Sequence, residues 1–227
     1  MTRGLLLVGN SVSGSPGPGI PAYPELLTAR LRGDWQVTTI IRSGATIEEM
    51  EPEIVDALKA GPQAVVLQVG INECAPRPLG PDGRRRLGAL RPAWLRGRII
   101  AVIHRWRPQI IRMRALAQFT PLDRFDASLA RIVRAVRAAG SRLMILPITE
   151  VAAAAEARTP FTNREVARYN GVLRAASGDG VTWMETATLF PGLNASDYCH
   201  TPETVHWSGA AHQRVAACLH DWVRSLP

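Results

Sequence analysis

Lysine is nearly missing from this chain: Lys59 stands alone, and arginine supplies the rest of the 27 basic residues. Such a bias, of the kind GC-rich coding produces, makes arginine as a residue type a weak pointer to function. Cysteine is scarce too. Cys74, Cys199 and Cys218 are an odd number without zinc-type spacing. That argues against a disulfide framework or a zinc module and fits free thiols in a reducing, cytoplasmic setting. No apolar run is long and charge-free enough to span a bilayer. The stretch after Arg3 is too short for the hydrophobic region of a secretory signal and has strand character. Gly14, Gly17 and Gly19 lack the Gly-Lys-Ser/Thr ending of a phosphate loop. Gly9-x-Ser11-x-Ser13 lacks the last glycine of Gly-x-Ser-x-Gly, which disfavours an α/β-hydrolase nucleophile elbow.

What is present is an alternation of short apolar runs and amphipathic stretches. With 227 residues, 46% of them apolar and 20% charged, the chain fits one domain over 1–227 with a substantial core. Runs rich in Val, Ile and Leu predict strands at Leu5–Ser11, Gln36–Arg42, Ala64–Gly70, Arg142–Thr149 and Val181–Thr186. Helices are predicted at Tyr23–Leu31, Thr46–Ala60, Pro121–Ala139, Asn163–Ala176 and Ser208–Leu226, with Thr120 as a cap before Pro121. Repeated β-α order implies a parallel sheet between two helix layers, an α/β, three-layer, doubly wound arrangement.

One segment breaks the rhythm. From Glu73 to Phe119 no ordinary strand-to-helix connection fits, and residues 75–119 read as a helical, basic insertion after the third strand. Eleven arginines stand against a single acid, Asp82, between Arg77 and Arg114, so the net charge of +8 belongs to this region. Leu95, Ile99, Val102, Ile103, Trp106, Ile110 and Met113 form one helical stripe flanked by arginines 96, 98, 105, 107, 112 and 114. Pro108 should kink or split that helix. Because the insertion leaves the sheet beside Asn72, a cap over the active edge is the natural geometry. Its bland reading is a surface helix with solvated arginines.

The chemistry-bearing residues cluster at predicted strand ends. Leu5–Val8 stops at Gly9-Asn10-Ser11, which puts a hydroxyl at the carboxyl edge of the sheet, where open α/β sheets bind ligands. A serine needs a base to take its proton and donors for the developing oxyanion. His206, in Val205-His206-Trp207-Ser208-Gly209, suits the base by spacing, with His200 and His212 as alternatives. The Ser11 N–H, the Gly44 N–H and the Asn72 amide are candidate oxyanion donors. Taken singly, Ser11, Gly44 and Asn72 could each be an ordinary turn residue.

Together the blocks Gly9-Asn10-Ser11, Gly44, Gly70-Ile71-Asn72-Glu73 and Glu203-Thr204-Val205-His206 resemble those of the SGNH/GDSL hydrolases. The resemblance runs nearly end to end, apart from the insertion. It implies a flavodoxin-like five-stranded parallel sheet and ester or acyl chemistry with no metal or other cofactor. It also implies Ser11 as nucleophile, His206 as base, and Ser11, Gly44 and Asn72 in the oxyanion hole. Tyr169-Asn170 and His212 are also similar to recurrent family features. Asn10, Glu73 and Glu203 depart from it, since the family usually has aspartate at each place. Glu203 is favoured by position as the carboxylate that orients His206, with Asp197 as the alternative.

The expected activity is a serine-dependent acyl ester or thioester hydrolase (an esterase, thioesterase or lipase-like enzyme) working through an acyl-enzyme on a small-molecule or lipid-like substrate. An acyltransferase using the same Ser–His pair and a non-catalytic binding protein are the alternatives. In the functional reading of the insertion, Arg96, Arg105, Arg112 and Trp106 bind substrate or an anionic partner. That partner would be an acidic carrier protein, a coenzyme A thioester or an anionic membrane surface. Nucleic acid is disfavoured, because nothing resembles a base-reading module.

Overall fold

A computed structural model describes residues 3–113 and 118–227; Arg114 of the basic segment lies outside them. The chain begins with β1 (Arg3–Gly9), followed by α1 (Tyr23–Arg30), β2 (Trp35–Ile41), α2 (Ile47–Leu58) and β3 (Ala64–Gln68). Between β3 and the next long helix come α3 (Ile71–Cys74), α4 (Pro81–Ala89), α5 (Ala93–Arg105) and α6 (Arg107–Met113). Then follow α7 (Leu122–Ala138), β4 (Arg142–Ile145), α8 (Ala153–Arg158), α9 (Thr162–Ala175) and β5 (Val181–Trp183). Two single-turn helices, α10 (Thr186–Leu189) and α11 (Ala195–Tyr198), lead to the closing α12 (Gly209–Ser225).

All pairings in the sheet are parallel, in the order β2-β1-β3-β4-β5. Leu5, Leu6, Leu7 and Val8 are buried, as is the whole of β3, because these central strands are covered on both faces. The edge strand β2 exposes Thr38 and Thr39. α1 packs on α12, and α2 packs on α7, which also meets α9, so helices flank the sheet. Each turns a stripe inward: Ile47, Met50, Ile54 and Leu58 on α2, and Phe125, Leu129, Ile132 and Val136 on α7. Each such side chain contributes about 1.5–3 kcal/mol on burial. Among the described residues no helix is long and apolar enough to cross a membrane.

The chain runs from β1 to β2 on one side and then to β3 on the other. This reversal leaves a crevice at the carboxyl ends of β1 and β3, the switch point where such sheets bind ligands. Gly9 pairs in register with Ile41 of β2 and Gln68 of β3, so the three strands end level with one another.

β1 and β2 keep the expected length, shifted towards the amino terminus, whereas β3, β4 and β5 are shorter than the hydrophobic runs imply. β4 stops at Ile145 although Leu146 to Thr149 stay buried, since burial continues after the ladder ends. Thr120 does not cap α7. Pro121 occupies that position, while the Thr120 hydroxyl is buried without a partner among the described residues and its carbonyl accepts from the Tyr169 hydroxyl at 2.6 Å. Around Pro108 the helix divides into α5 and α6, with Trp106 ending the first. Of the apolar stripe, Val102, Trp106 and Met113 are exposed, and α5 has no buried residue.

Candidate active site

β1 ends in a turn that only glycine permits. A Cβ on Gly9 would collide with the Ser13 hydroxyl, so the chain passes directly into a 3-10 turn at Ser11–Ser13. Asn10 caps that turn, its Oδ1 accepting from the Val12 N–H at 3.0 Å. An aspartate could make the same bond, so the departure at Asn10 keeps the local geometry. The two serines part company here. Ser13 is buried, donates to Gln68 Oε1 at 3.0 Å and lies 3.1 Å from the Tyr23 hydroxyl. Ser11 is half-buried and lines a cavity of about 330 Å³.

The segment after β3 is positioned by Gly70, whose φ of 114° and close approach to Ile148 exclude a side chain. It turns the chain into α3. Asn72 donates from Nδ2 to the Ala45 carbonyl at 2.8 Å and lines the same cavity as Ser11. Glu73 is fully buried and accepts the Ile47 N–H at the first turn of α2. Burial pushes its carboxyl up to about 7, although backbone N–H groups, that of Ile47 first, pull the other way. Both side chains therefore tie the loop after β3 to the loop after β2. Gly44 lies in that second loop with φ 75°, exposed and outside the cavity wall.

His206 reaches the cavity from the other end of the chain. A bridge between Cys199 and Trp207 and a bond from the His200 N–H to the His206 carbonyl at 2.8 Å fix its backbone. Trp207 is fully buried and donates to Thr149 Oγ1 at 3.0 Å. Burial first, then the neighbouring His200, lowers the His206 pKa, which leaves a neutral ring at pH 7. His212 faces elsewhere. Its Nδ1 accepts from the Tyr23 N–H at 3.2 Å, and burial brings it down to about 4. It pins α12 to α1. His200 is exposed and off the cavity wall.

Glu203 lines the cavity beside His206, without a hydrogen bond between them among the described residues. Asp197 is committed elsewhere: its Oδ2 accepts the Asn194 N–H at 2.8 Å, capping α11, and it borders a separate cavity with Arg30 and Arg214. Ser11 and His206 make no hydrogen bond here either; such contacts are often long before a substrate arrives. Tyr169 and Asn170 are supports. Asn170 clamps the chain beyond β4 through the N–H and carbonyl of Ile148, at 2.9 and 2.8 Å.

The arginines on the cavity wall are not those the helical stripe singles out. Arg96, Arg105, Arg112 and Trp106 lie off the wall; Arg105, Arg112 and Trp106 are exposed, and Arg96 bonds the Gly88 carbonyl at 3.2 Å. The stripe periodicity marked a helix but could not say which face of it the rest of the protein would meet. Arg77, Arg107 and Arg158 line the cavity instead. Their only signal in the sequence is that Arg77 follows Asn72 closely and that Arg107 sits at the helix break before Pro108. Among the described residues no group of three or more His, Cys, Asp or Glu side chains could hold a metal ion.

Comparison with known proteins places the chain in a family and supports the fold. The model of the GDSL-like lipase/acylhydrolase family matches residues 7–214. No curated protein matches the chain. Among solved structures, TesA is 20% identical with TM-score 0.54, covering 97% of each chain. A lipase/acylhydrolase from Enterococcus faecalis is 12% identical with TM-score 0.64, covering 98% of this chain and 96% of its own. The acetylxylan esterase Axe2 from Geobacillus stearothermophilus is 16% identical with TM-score 0.61, covering 99% and 95%. At these identities the structures speak for the shared fold. With the family match over most of its length, the chain belongs to the GDSL-like lipase/acylhydrolase family, the SGNH hydrolases.

Proposed function

We propose that the protein hydrolyses a small acyl ester through an acyl-enzyme on Ser11. The observation that carries this reading is the convergence of Ser11, Asn72, His206 and Glu203, from distant parts of the chain, on one cavity at the switch point of the sheet. In the first half-reaction Ser11 Oγ attacks the carbonyl carbon while the neutral His206 ring takes its proton. The carbonyl oxygen becomes an oxyanion. The Ser11 N–H, at the open start of the 3-10 turn, can donate to it. So can the second amide hydrogen of Asn72, since the first is held by Ala45. Gly44, next to Ala45, is the third candidate donor. His206 then returns the proton to the departing alcohol. Water repeats the sequence on the acyl-enzyme and regenerates Ser11. Glu203 is the positioning carboxylate for His206.

The cavity volume is at the low end for ligand sites, and among the described residues only Ile71, Ala75, Val151, Ala155 and Val205 give its wall an apolar part. Short acyl groups fit that space better than long chains. Ser11→Ala should lower turnover of a short-chain p-nitrophenyl ester by about 10⁴-fold or more, with an unchanged melting curve. A fluorophosphonate should label Ser11 in the native protein. Undiminished turnover in Ser11→Ala would remove the proposed nucleophile.

A further inference from the structure

Several arginines elsewhere in the molecule pair with acids, and others, such as Arg105 and Arg112, are exposed off the wall of the Ser11 cavity. Arg124 lies 2.9 Å from Glu48, Arg131 reaches Glu51, and Arg164 and Arg168 share the buried Glu165. Arg77, Arg107 and Arg158 differ. All three line the cavity that holds Ser11 and His206, and none has an ion-pair partner among the described residues.

Arg77 and Arg107 are held in place without being neutralised, while Arg158 is exposed at the rim. Arg107 donates from Nε to Thr159 Oγ1 at 3.1 Å and from a terminal nitrogen to the Pro76 carbonyl at 3.4 Å. That uses two of its five N–H groups. The Arg77 guanidinium lies 4.8 Å from the centre of the Phe119 ring, with its Nε buried and unpartnered among the described residues. Arg158 ends α8 on the same wall. Burial, and then the charges of Arg77 and Arg158, bring Arg107 down to about 10. It is still a cation at neutral pH. Among the described residues the only carboxylate on the wall is that of Glu203, which is exposed and makes no bond to any of the three. Like charges gathered in a half-buried pocket repel one another unless something negative enters.

We propose that Arg77, Arg107 and Arg158 form an anion subsite of the catalytic cavity, so that the preferred substrate is a small ester carrying a carboxylate or phosphate. The substrate part of this inference rests on the hydrolase reading, whereas the anion site itself does not. A planar guanidinium matches either anion through paired N–H donors. In a cavity of this size one small molecule can touch the arginine wall and Ser11 together. Charge recognition remote from the reacting carbon then holds the ester in place.

Two arms test this. The first compares kcat/KM within matched pairs: monomethyl succinate against methyl butyrate, and 2-acetoxyethyl phosphate against 2-methoxyethyl acetate. The anionic member of at least one pair should be favoured about tenfold or more. The pair that shows the preference identifies carboxylate or phosphate. Arg77→Gln and Arg158→Gln should each reduce the ratio several-fold, a quantity unaffected by the amount of folded protein. The second arm titrates Ser11→Ala protein with succinate and with inorganic phosphate at fixed ionic strength, by calorimetry. Binding that weakens when Arg158→Gln is added supports the subsite even if no ester is turned over, in which case the hydrolase reading alone fails. Turnover of neutral esters with ratios near one, and no calorimetric binding, would overturn the subsite and leave the hydrolase reading standing.

Discussion

The two serines of the first turn are chemically identical, and their surroundings give them different tasks. Ser13 is consumed by Gln68 and Tyr23, whereas Ser11 is left facing the cavity. His206 and His212 divide in the same way. His212 accepts a backbone N–H and is held neutral, while His206 sits on the wall. Because burial and His200 both lower the His206 pKa, the acid limb of kcat/KM should lie below the ordinary 6.5. His200→Gln removes the second influence and should move the limb upward. A limb already at or above 6.5 in the unaltered protein would show that another group titrates. None of these distinctions is written in the Gly9-Asn10-Ser11 or Val205-His206 strings themselves. They depend on which neighbours arrive from distant sequence.

At the scale of the element, α11 and the connection that follows it to α12 carry the two carboxylates that could serve His206. Asp197 closes a capping box on a four-residue helix, and Glu203 stands on the cavity wall. Asp197→Ala should therefore cost about 1 kcal/mol of stability with kcat/KM within about twofold of the unaltered protein. Glu203→Ala should lower kcat/KM at least about tenfold by loosening the imidazole. The reverse ranking, read from steady-state kinetics and urea midpoints, would reassign the carboxylate. The insertion behaves as three short helices rather than one amphipathic rod. Its periodicity announced helix, and Pro108 announced the division. The turning inward of Arg107, one residue before that proline, became visible only with Thr159 and Pro76 in place.

At the scale of the whole molecule, Glu73 links the loops after β2 and β3 to global stability. Its carboxyl is pushed up to about 7 in the folded protein, above its ordinary 4.5. Between those values the folded state binds a proton that the unfolded state has released, so stability falls as pH rises through the window and stays lowered above it. The loss is on the order of 3 kcal/mol at full ionisation. Glu73→Gln keeps an acceptor for the Ile47 N–H and should abolish this fall. The difference in urea midpoint between variant and unaltered protein should therefore grow from pH 5 to pH 8. Comparison at each pH cancels the opposite trend of His212, whose lowered pKa costs stability as pH falls from 6.5 towards 4. A constant difference would mean that Glu73 is not neutral in the folded state.

The order of apolar runs and helical stripes was enough to specify a parallel sheet between helices, because parallel strands must be buried on both faces and helices on one. It also located Ser11 and Asn72 at the ends of β1 and β3, since strands stop where glycine and asparagine begin. Spacing favoured His206 and Glu203, but only tertiary structure shows which histidine and which carboxylate share a cavity with Ser11 and which arginines turn inward. Those choices are made by contacts between residues far apart in the chain, such as Trp207 on Thr149 and Asn72 on Ala45, and local periodicity carries no record of them.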